Sequence, residues 1–295
     1  MAEKKKKLKE KKKQKKAVQR GPKYCESLLK TKVLNYSEYY LSAKEKTLFS
    51  VGIFIISTVV ALIMYGGIAG DENGSPTLTT YFLDAVICLA AGIISVKLVI
   101  PVIQEKLKRN RQKVIRQQFM DMLDSLSGSV ASGNNAAKAF ETSRNDLAMQ
   151  YGEDSYIVQE VTLLLQGQQN FVSLDALLSD FGKRSGIAEI ENFAQVFAVS
   201  YRKGGDFGRV IRDTYDILYN KIAIEQEIQT KIAATKNEFN IILVMPVAIM
   251  LMMKLSGGDF ARNLGTPAGI AGVTVGILLI VAAIFIAGKI TDIGV

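Results

Sequence analysis

"YRKGGDFGRVIRDTYDIL", residues 201–218, sets two adjacent glycines between stretches of helical spacing. Before the break, Ile190, Phe193, Ala194, Phe197 and Tyr201 fall at i, i+3, i+4, i+7 and i+11; after it, Phe207, Val210, Ile211, Tyr215 and Leu218 fall at i, i+3, i+4, i+8 and i+11. The pattern predicts two amphipathic helices meeting at a corner. Gly204 ends the first in a left-handed conformation, Gly205 lets the chain turn, and Asp206 caps the second. A phosphate-binding reading of the same glycines fails on chemistry. "KGGDFGRV" has no lysine and hydroxyl after its second glycine, and a dinucleotide fingerprint needs a preceding strand where this corner has a helix. Asp206 also places a carboxylate where the helix dipole would otherwise hold an anion.

Outward from the corner, residues 104–238 keep helical punctuation throughout. Phe119, Met122, Leu123, Leu126 and Val130 form an apolar stripe ending at Ser132-Gly133, and Asn134 or Asn135 caps a following helix with Ala136, Ala137 and Phe140. Ile157, Val161, Leu164 and Leu165 mark a third helix. Ser173 caps a fourth, with Leu174, Leu177, Leu178 and Phe181 on its face, broken at Ser185-Gly186. The quoted pair supplies the fifth and sixth. The sixth runs on through Ile222, Ile228 and Ile232 as one rod toward an apolar segment. The pattern is not repeated elsewhere in the chain.

Apolar segments flank this region in pairs. Residues 48–68, "LFSVGIFIISTVVALIMYGGI", are uncharged and long enough for a hydrocarbon core of about 30 Å. Residues 81–103 carry Asp84 near the start, Lys97 near the end, where it can snorkel, and Pro101 as a terminal kink or stop. Residues 239–255 are shorter and contain Pro246 and Lys254; residues 268–287 form a clear span whose Gly272 and Gly276 give a GxxxG face for helix association. No Lys or Arg lies between Lys46 and Lys97, whereas both flanks of that pair are basic. The positive-inside rule then puts the N-terminus, the 104–238 region and the C-terminus in the cytoplasm, and the loops near 69–80 and 256–267 outside. The expected fold is an all-α membrane protein with four transmembrane helices, two before and two after a cytoplasmic bundle of about six helices. Its parts are a basic segment 1–47, disordered at its start, a first pair 48–103, the bundle 104–238, a second pair 239–288 and a short cytoplasmic tail 289–295.

Composition narrows the function. The chain of 295 residues is 48% hydrophobic with net charge +9, and it contains no histidine. Imidazole bases, imidazole metal ligands and histidine triads are therefore excluded. Cys25 and Cys88 have no metal-ligand spacing. Asp121 with Asp124 and Glu225 with Glu227 read as solvated helix faces, and Ser125, Ser127 and Ser129 lack a nucleophile elbow. Residues 4–16, "KKKKLKEKKKQKK", hold ten lysines without interleaved aromatics, which suits anionic lipid and topology setting rather than nucleic acid. This run is not read as a signal peptide. No catalytic residue, cofactor site or metal site is expected. Lys203, Gly204, Gly205, Asp206 and Arg209 are the candidate partner-binding residues.

The order of these features resembles the F-type inner-membrane platform proteins of type II secretion and type IV pilus systems, and within them the Tad-pilus branch. "FMDMLDSLSGSVASGNNAAKAFE" resembles that family's first hairpin. "SLDALLSDFGKRSGIAEIENFAQVFAVSYRKGGDFGRVIRDTYDIL" resembles the second, with its Gly-Gly-Asp corner, and "IEQEIQTKIAATKNEFNIILVMPVAIM" resembles the exit helix into a proline-containing membrane segment. Larger members carry two copies of the domain, so a single copy implies pairing with a second chain or a sister subunit. The resemblance implies a non-enzymatic part in a prokaryotic cytoplasmic membrane. Its helical domain docks on a hexameric secretion ATPase, and its membrane helices meet pilin or pseudopilin subunits. The rival reading is a transporter or channel subunit with Asp84 and Lys97 on its path, although inverted repeats and broken helices are not visible.

Overall fold

The computed structural model describes residues 24–66, 78–256 and 266–291, and within them the apolar stripes become helix faces. A small antiparallel hairpin comes first, β1 (Tyr24–Glu26) and β2 (Lys32–Leu34), with Cys25 opposite Val33. Eight helices follow among the described residues: α1 (Ala43–Tyr65), α2 (Leu78–Ala131), α3 (Ala136–Tyr151), α4 (Tyr156–Gln169), α5 (Leu174–Ser185), α6 (Ala188–Arg202), α7 (Phe207–Ser256) and α8 (Pro267–Thr291). The described residues fall into two compact units, one drawn from 24–40 and 104–222, the other from 41–66, 78–103, 223–256 and 266–291.

The first unit has an apolar core. Phe119, Leu123 and Leu126 of α2, Phe140 of α3, Val161 of α4, Phe181 of α5 and Phe193 and Phe197 of α6 are all buried. Their rings meet edge-on or tilted: Phe119 lies 5.4 Å from Phe193, and Phe197 lies 5.6 Å from Phe193 and 6.4 Å from Phe140. The turns between helices follow local chemistry. After α2, Gly133 takes φ +87°, its N–H donates to Val130 O at 2.9 Å and Asn134 N–H to Ser129 O at 3.3 Å, a Schellman closure. Of the two candidate caps, Asn135 does the work, accepting from Lys138 N–H at 2.9 Å. Ser173 stands at the N-cap of α5 as expected, though its side chain makes no cap bond.

The lysine run expected to be disordered lies outside the described residues, whereas residues 24–40 pack on the bundle. Tyr24–Tyr40 belongs to the first unit, and Tyr36 is 1% exposed. Its hydroxyl donates to Glu160 Oε1 at 2.9 Å and its N–H to Arg184 O at 3.1 Å. Arg184 grips Glu160 through two bonds, 2.9 and 2.7 Å, and donates through Nε to Asp180 at 2.7 Å. Each charge in this buried network is thus paired, which is the condition under which burial is tolerated. Burial and the Glu160 carboxylate push the Tyr36 phenol far above its ordinary range.

The second unit carries long apolar helices whose apolar side chains face outward. Leu48, Leu98 and Met252 are 73%, 65% and 70% exposed, the reverse of a water-soluble core. Three helices, α1, α2 and α7, are long and apolar enough to cross a membrane by length and composition. The fourth expected span lies in α8, whose apolar run among the described residues, Ala268–Ile284, is shorter. Pro101 does not stop its helix: α2 continues from Leu78 to Ala131 with Pro101 inside. Proline removes one N–H and crowds one carbonyl, and intact helix on both sides absorbs the defect. Pro246 likewise sits within α7. Lys254 Nζ caps α1 by donating to Gly66 O at 2.7 Å, and the Tyr65 and Thr274 hydroxyls are 3.1 Å apart. The Cβ positions at Gly272 and Gly276 meet nothing within 4 Å, so the GxxxG face has no partner among the described residues. The expected outer loops near 69–80 and 256–267 fall mostly on residues 67–77 and 257–265, and these, with residues 1–23 and 292–295, lie outside the described residues.

Candidate functional site

The glycine corner takes the predicted form atom by atom. Helix α6 ends at Arg202, and Lys203 N–H still reaches Val199 O at 3.2 Å. Gly204 has φ +67°, where a Cβ would strain the backbone. Gly205 N–H then donates back to Ser200 O at 2.8 Å, six residues spanning the Schellman bond. Asp206 Oδ1 accepts Arg209 N–H at 3.0 Å and so caps α7. This carboxylate sits at the positive end of the helix dipole and opposes an anionic ligand there.

Beneath the turn, Tyr201 stacks on Phe197 at 5.3 Å and Phe207 meets the same ring at 6.2 Å. A Cβ at Gly208 would lie 2.8 Å from Val130 Cγ1, so α7 starts hard against the end of α2. The corner therefore adjoins the first hairpin turn, 132–135. Lys203, Gly204, Gly205, Asp206 and Arg209 all lie on the exposed side of this end of the bundle. Arg209 lies 3.7 Å from Asp213 in a solvent-exposed pair that contributes little to stability.

Two features here were not legible in the sequence. Arg202 clamps Asp175 at the start of α5, with Nε at 2.7 Å from Oδ2 and a second guanidinium contact to the same oxygen. Burial alone would raise the Asp175 pKa, but hydrogen bonds from Arg202 and Ser173 outweigh it and hold the carboxyl below its ordinary range. The clamp ties the 202–206 corner to the turn before α5, where Phe171 is 99% exposed at φ +62°. A phenylalanine in left-handed backbone with its ring in solvent is costly on two counts. Its only signal in the sequence is negative: it lies off every apolar stripe, between Asn170 and Val172.

Residues 122–254 match the family model described as type II secretion system (T2SS), protein F. The match begins in the apolar stripe of α2, contains the whole glycine corner and ends at Lys254 inside the apolar run of α7. It supports the T2SS F-domain family. No curated protein and no solved structure matches the chain. With the three apolar helices, the F-domain match suggests an inner-membrane protein.

Proposed function

We propose that the chain is the inner-membrane platform of a type II secretion or type IV pilus-type machine of the Tad kind. The carrying observation is the F-domain match over 122–254, which runs from a helical bundle into an apolar helix without a break. Proteins of that family are non-catalytic membrane platforms. In this reading four helices span the membrane in two pairs, both termini are cytoplasmic, and the bundle of the first unit faces the cytoplasm. A hexameric secretion ATPase docks on the bundle, and pilin or pseudopilin subunits meet the membrane helices. ATP hydrolysis in the partner displaces the platform and lifts pilin from the bilayer into the filament.

Physical reasoning supports such a role. Helices α2 and α7 each contain both core residues of the bundle and an apolar run, so displacement of the bundle has a direct covalent route into lipid. The corner residues Lys203, Gly204, Gly205, Asp206 and Arg209, with Phe171 beside them, form the proposed docking face. Exposed aromatic and cationic side chains at a well-fixed turn are the composition of interface hot spots. A cell lacking this chain is expected to lose surface filaments or pilin export, restored by the intact chain; unchanged assembly contradicts the proposal.

A further inference from the structure

The paired membrane helices carry a groove that platform function does not account for. Helices α1 and α2 run antiparallel where they touch: Cys88 Sγ meets Thr58 O at 3.8 Å, and the Phe54 ring sits on the backbone of Gly92. A Cβ at Gly92 would lie 2.3 Å from that ring, so only glycine lets the ring sink between the helices. Beside the sunken ring opens a trough of about 390 Å³, lined by Ser50, Val51, Phe54, Ile93, Val96 and Lys97. The Ser50 hydroxyl is turned away into its own helix, donating to Lys46 O at 2.6 Å, which leaves the trough walls to carbon.

We propose that this trough is a binding site for one anionic phospholipid, with an acyl chain against Phe54 and the headgroup phosphate on the Lys97 ammonium. The register of the hairpin sets Ser50 level with Val96, so Lys97 lies at the basic end of the trough, deeper than Lys46. Lys97 is exposed and belongs to no ion pair among the described residues, and no carboxylate lines the trough. A lysine at that depth extends its stem along the apolar wall and its ammonium to the interface, where phosphate is the available anion. The trough holds roughly one turn of a helix, too little to seat a partner span but enough for an acyl chain. The inference rests on α1 and α2 lying in lipid, not on which machine the chain serves.

The chain has no tryptophan, so one introduced indole reports alone. Val51→Trp places it in the trough wall; Ile56→Trp, 67% exposed in the native residue, places it elsewhere on α1. Each full-length variant is reconstituted in phosphatidylcholine vesicles containing brominated-acyl phosphatidylglycerol or brominated-acyl phosphatidylcholine, and quenching is titrated. The trough reporter is expected to favour phosphatidylglycerol by about fivefold, the scale set by one lysine at an anionic surface. That preference falls to parity with Lys97→Gln, survives Lys97→Arg and is absent at the Ile56→Trp reporter. Equal quenching by the two lipids at Val51→Trp overturns the proposal. So does a preference that persists in Lys97→Gln but disappears in Lys44→Gln with Lys46→Gln, because the headgroup then belongs to the general basic flank.

Discussion

Replacing Arg184 with methionine tests how the N-terminal strap is held to the bundle. Arg184 and Glu160 have side chains 9% and 3% exposed and share two hydrogen bonds of 2.9 and 2.7 Å. Without the guanidinium, Glu160 keeps only the Tyr36 hydroxyl and becomes a buried charge lacking its counter-ion. Breaking a buried pair in this way costs about 3–5 kcal/mol, against a domain stability of about 5–15 kcal/mol. For a unit of this size the melting temperature should fall on the order of 10 °C. Cys25 in β1 provides the probe, as a partly buried free thiol whose burial raises its pKa. In full-length protein carrying Cys88→Ala, thermal exposure of Cys25 to a thiol-reactive dye is followed for Arg184→Met and for the triple change Tyr36→Phe, Glu160→Met, Arg184→Met. The triple change removes every charge and hydroxyl of the central trio and should recover most of the loss, since apolar replacement of a whole buried pair is often neutral. A single variant that melts within 2 °C of the parent refutes the reasoning, as does a triple variant less stable than the single one.

Three further outcomes follow from the corner and its surroundings. Gly204→Val should cost about 1–2 kcal/mol through backbone strain alone, because the Cβ site is empty of neighbours; Gly204→Asn should cost less, by denaturant midpoint. Phe171→Gly should raise stability by about 1 kcal/mol by relieving the left-handed phenylalanine, yet weaken ATPase association in pull-downs; unchanged association removes Phe171 from the docking face. Glu189 is also held below the ordinary carboxylate range: burial pushes it up, but the Lys221 hydrogen bond at 2.6 Å and the Arg116 charge outweigh that. Both Asp175 and Glu189 therefore contribute stability above the usual carboxylate range and lose it as pH falls. Acid should therefore remove more stability from the parent than from a Lys221→Met variant, and their denaturant midpoints should converge as pH falls through the carboxylate range.

What could be read without a structure was whatever repeats within a few residues. The stripe from Phe119 to Val130, the turn at Gly133 and the Gly204–Asp206 corner are set by contacts three to six positions apart, so periodicity and capping chemistry found them. In the Tyr36–Glu160–Arg184 network the Tyr36 hydroxyl bonds a carboxylate 124 positions away, and nothing local in "NYSEYY" marks Tyr36 as the buried tyrosine. Pro101 misled because its local preference is overridden by helix on both sides. Arg202 and Lys203 are neighbours of the same charge, yet one clamps Asp175 and the other faces solvent, a difference made by the position of α5 rather than by their own segment.

Most directly at stake is the claim that the chain transmits work performed by another protein. Full-length chain reconstituted in vesicles, with the cognate secretion ATPase added outside, gives the test through ATPase co-flotation and phosphate release. The ATPase should float with vesicles that expose the 104–238 region, and Lys203→Glu with Arg209→Glu should reduce this at least tenfold while membrane insertion is unchanged. The chain alone should release no phosphate from ATP. Phosphate release by the chain alone, or equal co-flotation with the charge-reversed variant and with empty vesicles, contradicts the account.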